Sequence, residues 1–147
     1  MTELEAFAGL VSLEHGLAVV STTRADGTIQ SSVVNAGVLD HPISGQPAVG
    51  FVAVGSSRRL DNLRARPWAT VVLRAGWRWA AVDGAVELAG PEDLIDGIDG
   101  ERLRLLLRDI YTAAGGTHDD WDEYDRVMAA DRRVAVLIKP ERIYGVS

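Results

Sequence analysis

A chain of 147 residues with 47% hydrophobic content is long enough for one domain, residues 1–147, with a core of its own. Its net charge of -6 counts against nucleic acid, which needs a broad basic face. The lack of cysteine excludes thiolate metal sites and disulfides, and His15, His41 and His118 have no ligand spacing, so no metal is expected. No apolar run reaches the roughly 18 residues of a membrane span, and Met1-Thr2-Glu3-Leu4-Glu5 is acidic where a signal peptide is basic. The expectation is a cytoplasmic protein with no membrane partner.

Leu4, Phe7, Ala8, Leu10 and Val11 recur at helical spacing and predict a helix over 3–14, ended by Gly16. Residues 17–23 are β-rich, and Asp26-Gly27 is a hairpin signal that makes 28–39 the return strand. Turn chemistry fills 40–47. A third strand over 48–54, a short helix over 57–66 and a fourth strand over 68–74 follow. Ala75-Gly76 then turns the chain into a long strand over 77–88. Beyond Gly90-Pro91, Leu103, Leu106, Leu107, Ile110 and Tyr111 mark an amphipathic helix that Gly115-Gly116 break. A helix over 122–130 and strands over 133–138 and 143–146 complete the chain. Six or seven strands, mostly in hairpins, predict a mainly β (α+β) antiparallel barrel with peripheral helices, because closure removes edge strands.

The segment Gly55-Ser56-Ser57-Arg58-Arg59 runs from a glycine–serine turn directly into the short helix, which Arg66-Pro67 ends. A helix start has unpaired N–H groups and partial positive charge, so serine hydroxyls and guanidiniums there form a phosphate-sized anion site. In an acidic chain the group Arg58, Arg59, Arg64 and Arg66 stands out as local. Cations beside a helix start are unfavourable by ~0.3–1 kcal/mol unless an anion is present. Asn62, one turn on, shares the face of Arg58 and Arg59; it is either a ligand contact or a surface amide.

Gln30 and Ser32 share one face of the second strand. They are either inward polar groups that a ligand ring would satisfy or a hairpin edge in water. Trp77 and Trp79 also share a face and serve either dimer or core packing or a stacking wall for a bound ring. Trp68 and Trp121 read as structural. The histidines read as non-catalytic, and Asp119 to Asp125 as a solvated helix start and cap.

The order of these features resembles a known family. The hairpin Thr23-Arg24-Ala25-Asp26-Gly27-Thr28-Ile29-Gln30-Ser31-Ser32, then a strand, then the Gly-Ser-Ser-Arg-Arg helix with Asn62-Leu63 and Arg66-Pro67, is similar to the split β-barrel of the pyridoxamine 5'-phosphate oxidases. Gly76-Trp77-Arg78-Trp79-Ala80, Asp119 to Tyr124, Asp131-Arg132-Arg133-Val134 and Pro140 to Gly145 resemble its actinobacterial branch, which uses the deazaflavin coenzyme F420. The FMN-using oxidases place basic residues at the positions of Ser32 and Gly37. Two phosphate contacts, each worth roughly 1.5–3 kcal/mol, would be missing here. The branch usually has a further basic residue where Ser57 stands, a role that Arg58 and Arg59 would share.

The resemblance implies an F420H2-dependent oxidoreductase that delivers hydride from the deazaflavin C5 to a conjugated small-molecule acceptor. It implies cofactor contacts from Gln30, Ser32, Ser57, Arg58, Arg59, Asn62, Trp77 and Trp79. No nucleophile, triad or acid–base pair is visible, so no catalytic side chain is singled out. The alternatives are an FMN-binding oxidase-like enzyme and a non-catalytic F420 carrier. A homodimer is implied, with the cofactor in a groove between subunits and Trp77, Trp79 and the first helix as interface candidates.

Overall fold

The computed structural model describes residues 2–146. In chain order the elements are α1 (Glu3–Val11), β1 (Leu17–Thr23), β2 (Ile29–Asp40), β3 (Pro47–Ala53), α2 (Arg58–Ala65), β4 (Trp68–Ala75), β5 (Arg78–Ala89), α3 (Gly100–Ala113), α4 (Trp121–Ala130), β6 (Val134–Ile138) and β7 (Arg142–Val146). All strand pairs are antiparallel, in the order β4-β1-β2-β3-β6-β5, and β4 pairs back to β5 to close a six-stranded ring. β7 adds to β5 over Trp79 to Asp83, outside the ring.

The barrel is split because two strands change partners along their length. β2 pairs with β1 through Ile29 to Asn35 and with β3 only through Ala36 to Asp40. β5 likewise pairs with β4 up to Ala85 and with β6 from Val86 onward. The first half of β2 therefore has no strand on the side away from β1.

Burial follows the pattern of apolar positions. Phe7, Leu10 and Val11 of α1 and Leu60 and Leu63 of α2 fill the barrel interior with Val20, Phe51, Val71 and Leu73. A second cluster joins Leu106, Leu107 and Ile110 of α3 to Tyr124 of α4 and to Ala135 and Leu137 of β6. β6 is buried on both faces, with Val134, Val136 and Ile138 facing the barrel. α3 lies so close to β2 that a Cβ at Gly37 would sit 2.3 Å from the Ala113 carbonyl. Gly16, at φ 72°, meets the Ala114 carbonyl in the same way.

Element boundaries differ from the sequence expectation where caps decide them. α1 stops at Val11, before the expected end at 14, because the chain turns through His15 and Gly16, both at positive φ. α3 begins at Gly100, ahead of its first apolar marker, because the Asp99 carboxylate accepts the Arg102 N–H. The acidic run at the start of α4 is not wholly solvated. Asp120 caps the helix by accepting the Glu123 N–H, but Asp125 turns inward. There it accepts from Arg108 Nε and Arg104 Nη1, each at 2.9 Å, and ties α4 to α3.

Hydrogen bonding from Arg108 holds the Asp125 carboxyl below its ordinary value, with help from Arg104 and against partial burial. A lowered folded pKa contributes stability above the unfolded value, and that contribution is lost as pH falls through the folded value. The melting-temperature gap between the parent and Asp125→Asn should therefore hold from neutral pH to about 5 and shrink below about 4. A gap unchanged at about pH 2 would show that the ion pairs do not contribute.

Candidate functional site

α2 is held against β1 and β2 by polar ties that begin at its first turn. Leu60 and Leu63 face the core, and Arg59 and Asn62, also three apart, flank that stripe and reach the neighbouring strands. Asn62 is buried and donates from Nδ2 to Thr22 Oγ1 at 3.1 Å and to Gln30 Oε1 at 2.9 Å. Arg59 Nη1 donates to Ser32 Oγ at 2.8 Å. Gln30 and Ser32 thus do point inward, and the partners they find are side chains of α2. Asn62 lies on the inner side of the helix, so both of its contacts are structural.

Two polar atoms at this helix start are buried without a partner, Ser57 Oγ and Arg59 Nε. Ser57 is the N-cap residue, yet its side chain makes no cap bond. Arg58 beside it is exposed. The other two arginines of the sequence cluster are committed elsewhere. Arg64 grips Asp93 with two bonds of 3.0 and 2.8 Å, and Arg66 Nε donates to the Thr23 carbonyl at 2.7 Å. Of the four clustered arginines, Arg58 and Arg59 at the helix start are the two left without a carboxylate or carbonyl partner among the described residues.

A groove of about 560 Å³ opens where β2 parts from β3. Arg59 lies on its wall with Val33 and Asn35 of β2, Tyr111 of α3, Tyr124 of α4 and Arg133 just before β6. That volume is within the usual range for a small-molecule site. Asn35 Nδ2 donates to the His15 carbonyl at 3.0 Å, fixing the loop after α1 at the groove's rim. The aromatic wall is packed from behind: Tyr111, His118, Trp121 and Tyr124 stack with centroid spacings from 5.1 to 6.3 Å. Both tyrosine hydroxyls are in use, Tyr124 donating to the Leu107 carbonyl and Tyr111 to the Thr117 carbonyl. Burial pushes Tyr124 up to about 12, so it stays neutral at physiological pH. Burial lowers Arg59, and the charge of Arg133 lowers it further. Among the described residues no carboxylate lines the groove, and no cluster of His, Asp and Glu with metal-binding geometry occurs anywhere. The arrangement suits a planar ligand bearing a negative charge.

Trp77 and Trp79 are not in this groove. With Arg74 and Gly76 they line a separate hollow, Trp77 almost fully exposed at a turn and Trp79 edge-on to Tyr144 at 6.3 Å. Conversely Tyr111, Tyr124, Arg133 and Asn35 line the groove although none of them was expected to hold a ligand. Tyr111 was marked by helical spacing alone, Tyr124 and Arg133 lay in stretches that carry the family resemblance without a role of their own, and Asn35 had no signal.

Set beside known proteins, the chain matches no family model. Solved structures do match it. A conserved hypothetical protein of Mycobacterium tuberculosis, Rv2991, superposes with a TM-score of 0.71 at 20% identity, over 100% of this chain and 85% of that one. An FMN-binding, pyridoxamine 5'-phosphate oxidase-related protein of Nostoc punctiforme gives 0.64 at 12%, over 96% and 78% of the two chains. The chain has the split-barrel fold of the pyridoxamine 5'-phosphate oxidase-related proteins. A protein described as an F420 reductase shares the same split barrel, with a TM-score of 0.63 at 14% identity over 94% of this chain and 95% of that one. Among the described residues no helix of this split barrel is long and apolar enough to cross a membrane.

The buried amide at α2 is directly testable. Asn62→Ala leaves Gln30 Oε1 and Thr22 Oγ1 without their donor and should cost about 1–3 kcal/mol in urea unfolding. A loss below about 0.5 kcal/mol would show that water replaces the amide.

Proposed function

We propose that this split barrel is an F420H2-dependent oxidoreductase acting on a conjugated small-molecule acceptor. The observation that carries the reading is Arg59, a partly buried cation that gives one donor to a neutral hydroxyl and faces a groove without carboxylates. Bound there, the deazaflavin would supply hydride at C5, the chemistry that makes an acid–base pair in the protein unnecessary. The chain's own residues bind, orient and exclude water. Arg59, with Arg58 outside it, holds the anionic end. Gln30 keeps its amide N–H₂ available, since only its carbonyl is taken by Asn62. The unpaired side of β2 offers backbone groups to a polar ring edge, and Tyr111 and Tyr124 with Met128 form the apolar wall that shuts out water.

The preference for F420 over FMN rests on strand β2. Neither Ser32 nor Gly37 is charged, and a side chain at Gly37 would collide with the Ala113 backbone. One observation favours FMN: Arg59 reaches Ser32 and brings a guanidinium to the place where the FMN oxidases have a basic residue. A phosphodiester has one charge fewer than a terminal phosphate and is satisfied by fewer cations, which tips the balance to F420. Tryptophan-fluorescence titration should give F420 at least ten-fold tighter binding than FMN, about 1.4 kcal/mol. F420H2 oxidation with a quinone acceptor then separates an enzyme from a carrier. Equal affinities, or FMN co-purifying at full occupancy, would overturn the F420 assignment.

We also propose that the protein works as a homodimer with the groove at its interface. The register places Val33, Val19, Val72, Ala81 and Tyr144 in one row across β2, β1, β4, β5 and β7. Val33, Val19 and Tyr144 of that row are exposed by 63%, 42% and 45%, with Leu17 beside them at 48%. Such a face buries well over ~1,000 Å² when it meets its copy. Val33 also lines the groove, so a partner there would wall it. α1 is a poorer interface candidate than its sequence suggested, because its apolar side fills the barrel. Light scattering should report a dimer, and Val19→Asp should release monomers; a monomeric parent at micromolar concentration would sink the proposal.

A further inference from the structure

Two guanidiniums converge on the groove from distant parts of the chain. Arg59 stands in the first turn of α2, and Arg133 lies between α4 and β6; both line the same space. Arg133 is mostly covered, its side chain 27% exposed. Its contacts to Asp131 Oδ2 are 3.3 Å from Nε and 3.2 Å from Nη2, at the long end for a charged pair. Arg59 has only the neutral Ser32 hydroxyl, and its Nε is buried without a partner. The two cations share no carboxylate, and each raises the free energy of the other in a partly desolvated place. An anion seated between them relieves that repulsion.

We infer that Arg59 and Arg133 together clamp one oxyanion of the ligand, a phosphate or a carboxylate, inside the split, and that Asp131 competes with it for Arg133. The inference deepens the proposed function and rests on the groove being its ligand site. It seats the anion at the inner end of the groove, between Arg59 and Arg133, and leaves Arg58 as the outer contact at the helix start. The oxyanion can come from the cofactor's phosphate or from a carboxylate on the acceptor. In either case Arg133 sets which ligands are accepted, and Asp131 is a positioning residue that tempers its charge.

The test uses the full chain with Arg133→Gln, Asp131→Asn and Arg58→Gln. Inorganic phosphate should raise the parent's melting temperature. Its apparent Kd should weaken at least ten-fold in Arg133→Gln, tighten several-fold in Asp131→Asn and weaken by no more than about three-fold in Arg58→Gln, the outer contact. FMN and riboflavin differ only by the phosphate, so the ratio of their affinities should fall about ten-fold in Arg133→Gln and rise in Asp131→Asn. A purely structural role would weaken both ligands alike and leave that ratio unmoved. Saturation with F420 distinguishes the sources: loss of both phosphate and benzoate binding assigns the clamp to the cofactor, and retained benzoate binding assigns it to the acceptor. If neither F420 nor FMN binds the parent, the proposed function falls while the phosphate arm still decides the clamp. Unchanged phosphate affinity and FMN-to-riboflavin ratio in Arg133→Gln, or no phosphate effect in the parent, would overturn it.

Discussion

β2 is longer than either of its neighbours can pair, and the rest of the molecule is arranged around that mismatch. Its first seven residues, Ile29 to Asn35, are taken by β1 and its last five by β3. An unpaired strand edge is a liability in water, inviting association with any extended chain. Here the exposed edge is roofed by α2 at one end and by the α3–α4 pair at the other, and the space left beneath is the groove. The site is thus a by-product of closing a barrel with strands of unequal length. Its walls come from elements far apart in sequence because no adjacent element can reach across the gap.

The covering helices are secured differently. α2 is held by Leu60 and Leu63 in the barrel core and by neutral hydrogen bonds from a buried amide, with Arg59 adding a charged donor to β2. α3 and α4 are held by apolar burial, stacked rings and the Arg104–Asp125–Arg108 ion pairs. Arg108 also lies over the Trp121 ring at 5.3 Å, so one guanidinium serves a carboxylate and an aromatic face together. The outcome is a charge pattern opposite to that of the chain as a whole. Carboxylates are drawn to the outer seams between elements, and the groove is left with cations alone. A net acidic protein can therefore present a locally cationic cavity.

Much of the architecture was legible in the residues. The hairpin at Asp26-Gly27, the helix after Ser57 and the β-rich run of β1 all reported local physics, and the structure keeps them within a residue or two. The inward face of Gln30 and Ser32 was also readable from period two. What the sequence could not yield was the pairing of surfaces. Arg64 and Arg66 look no different from Arg59 in sequence, yet Asp93 and the Thr23 carbonyl claim them. Asn62 was legible as lying on a face, but which way that face turned depended on Thr22 and Gln30. Trp77 and Trp79 have the composition of a ligand wall and lie outside the groove, whereas Tyr111, which reads as an ordinary helix position, and Tyr124, to which the resemblance gave no role, line it. Spacing reports which residues share a face; only the fold says what that face meets.

The burial of β6 has a consequence for how the molecule is made. This five-residue strand joins β3 to β5 and separates the barrel interior from the layer beneath α3. Until Val134 to Ile138 has left the ribosome, the ring stays open, and β3 and the end of β5 each lack a neighbour. The nascent chain must hold two apolar sheet fragments apart while the helices that will roof the split are synthesised. Pairings of such long sequence separation are slow to form, and chains in this state are exposed to aggregation. Closure of this barrel accordingly waits for β6, and until then the open edges of β3 and β5 are the part of the chain most in need of shielding from other extended chains.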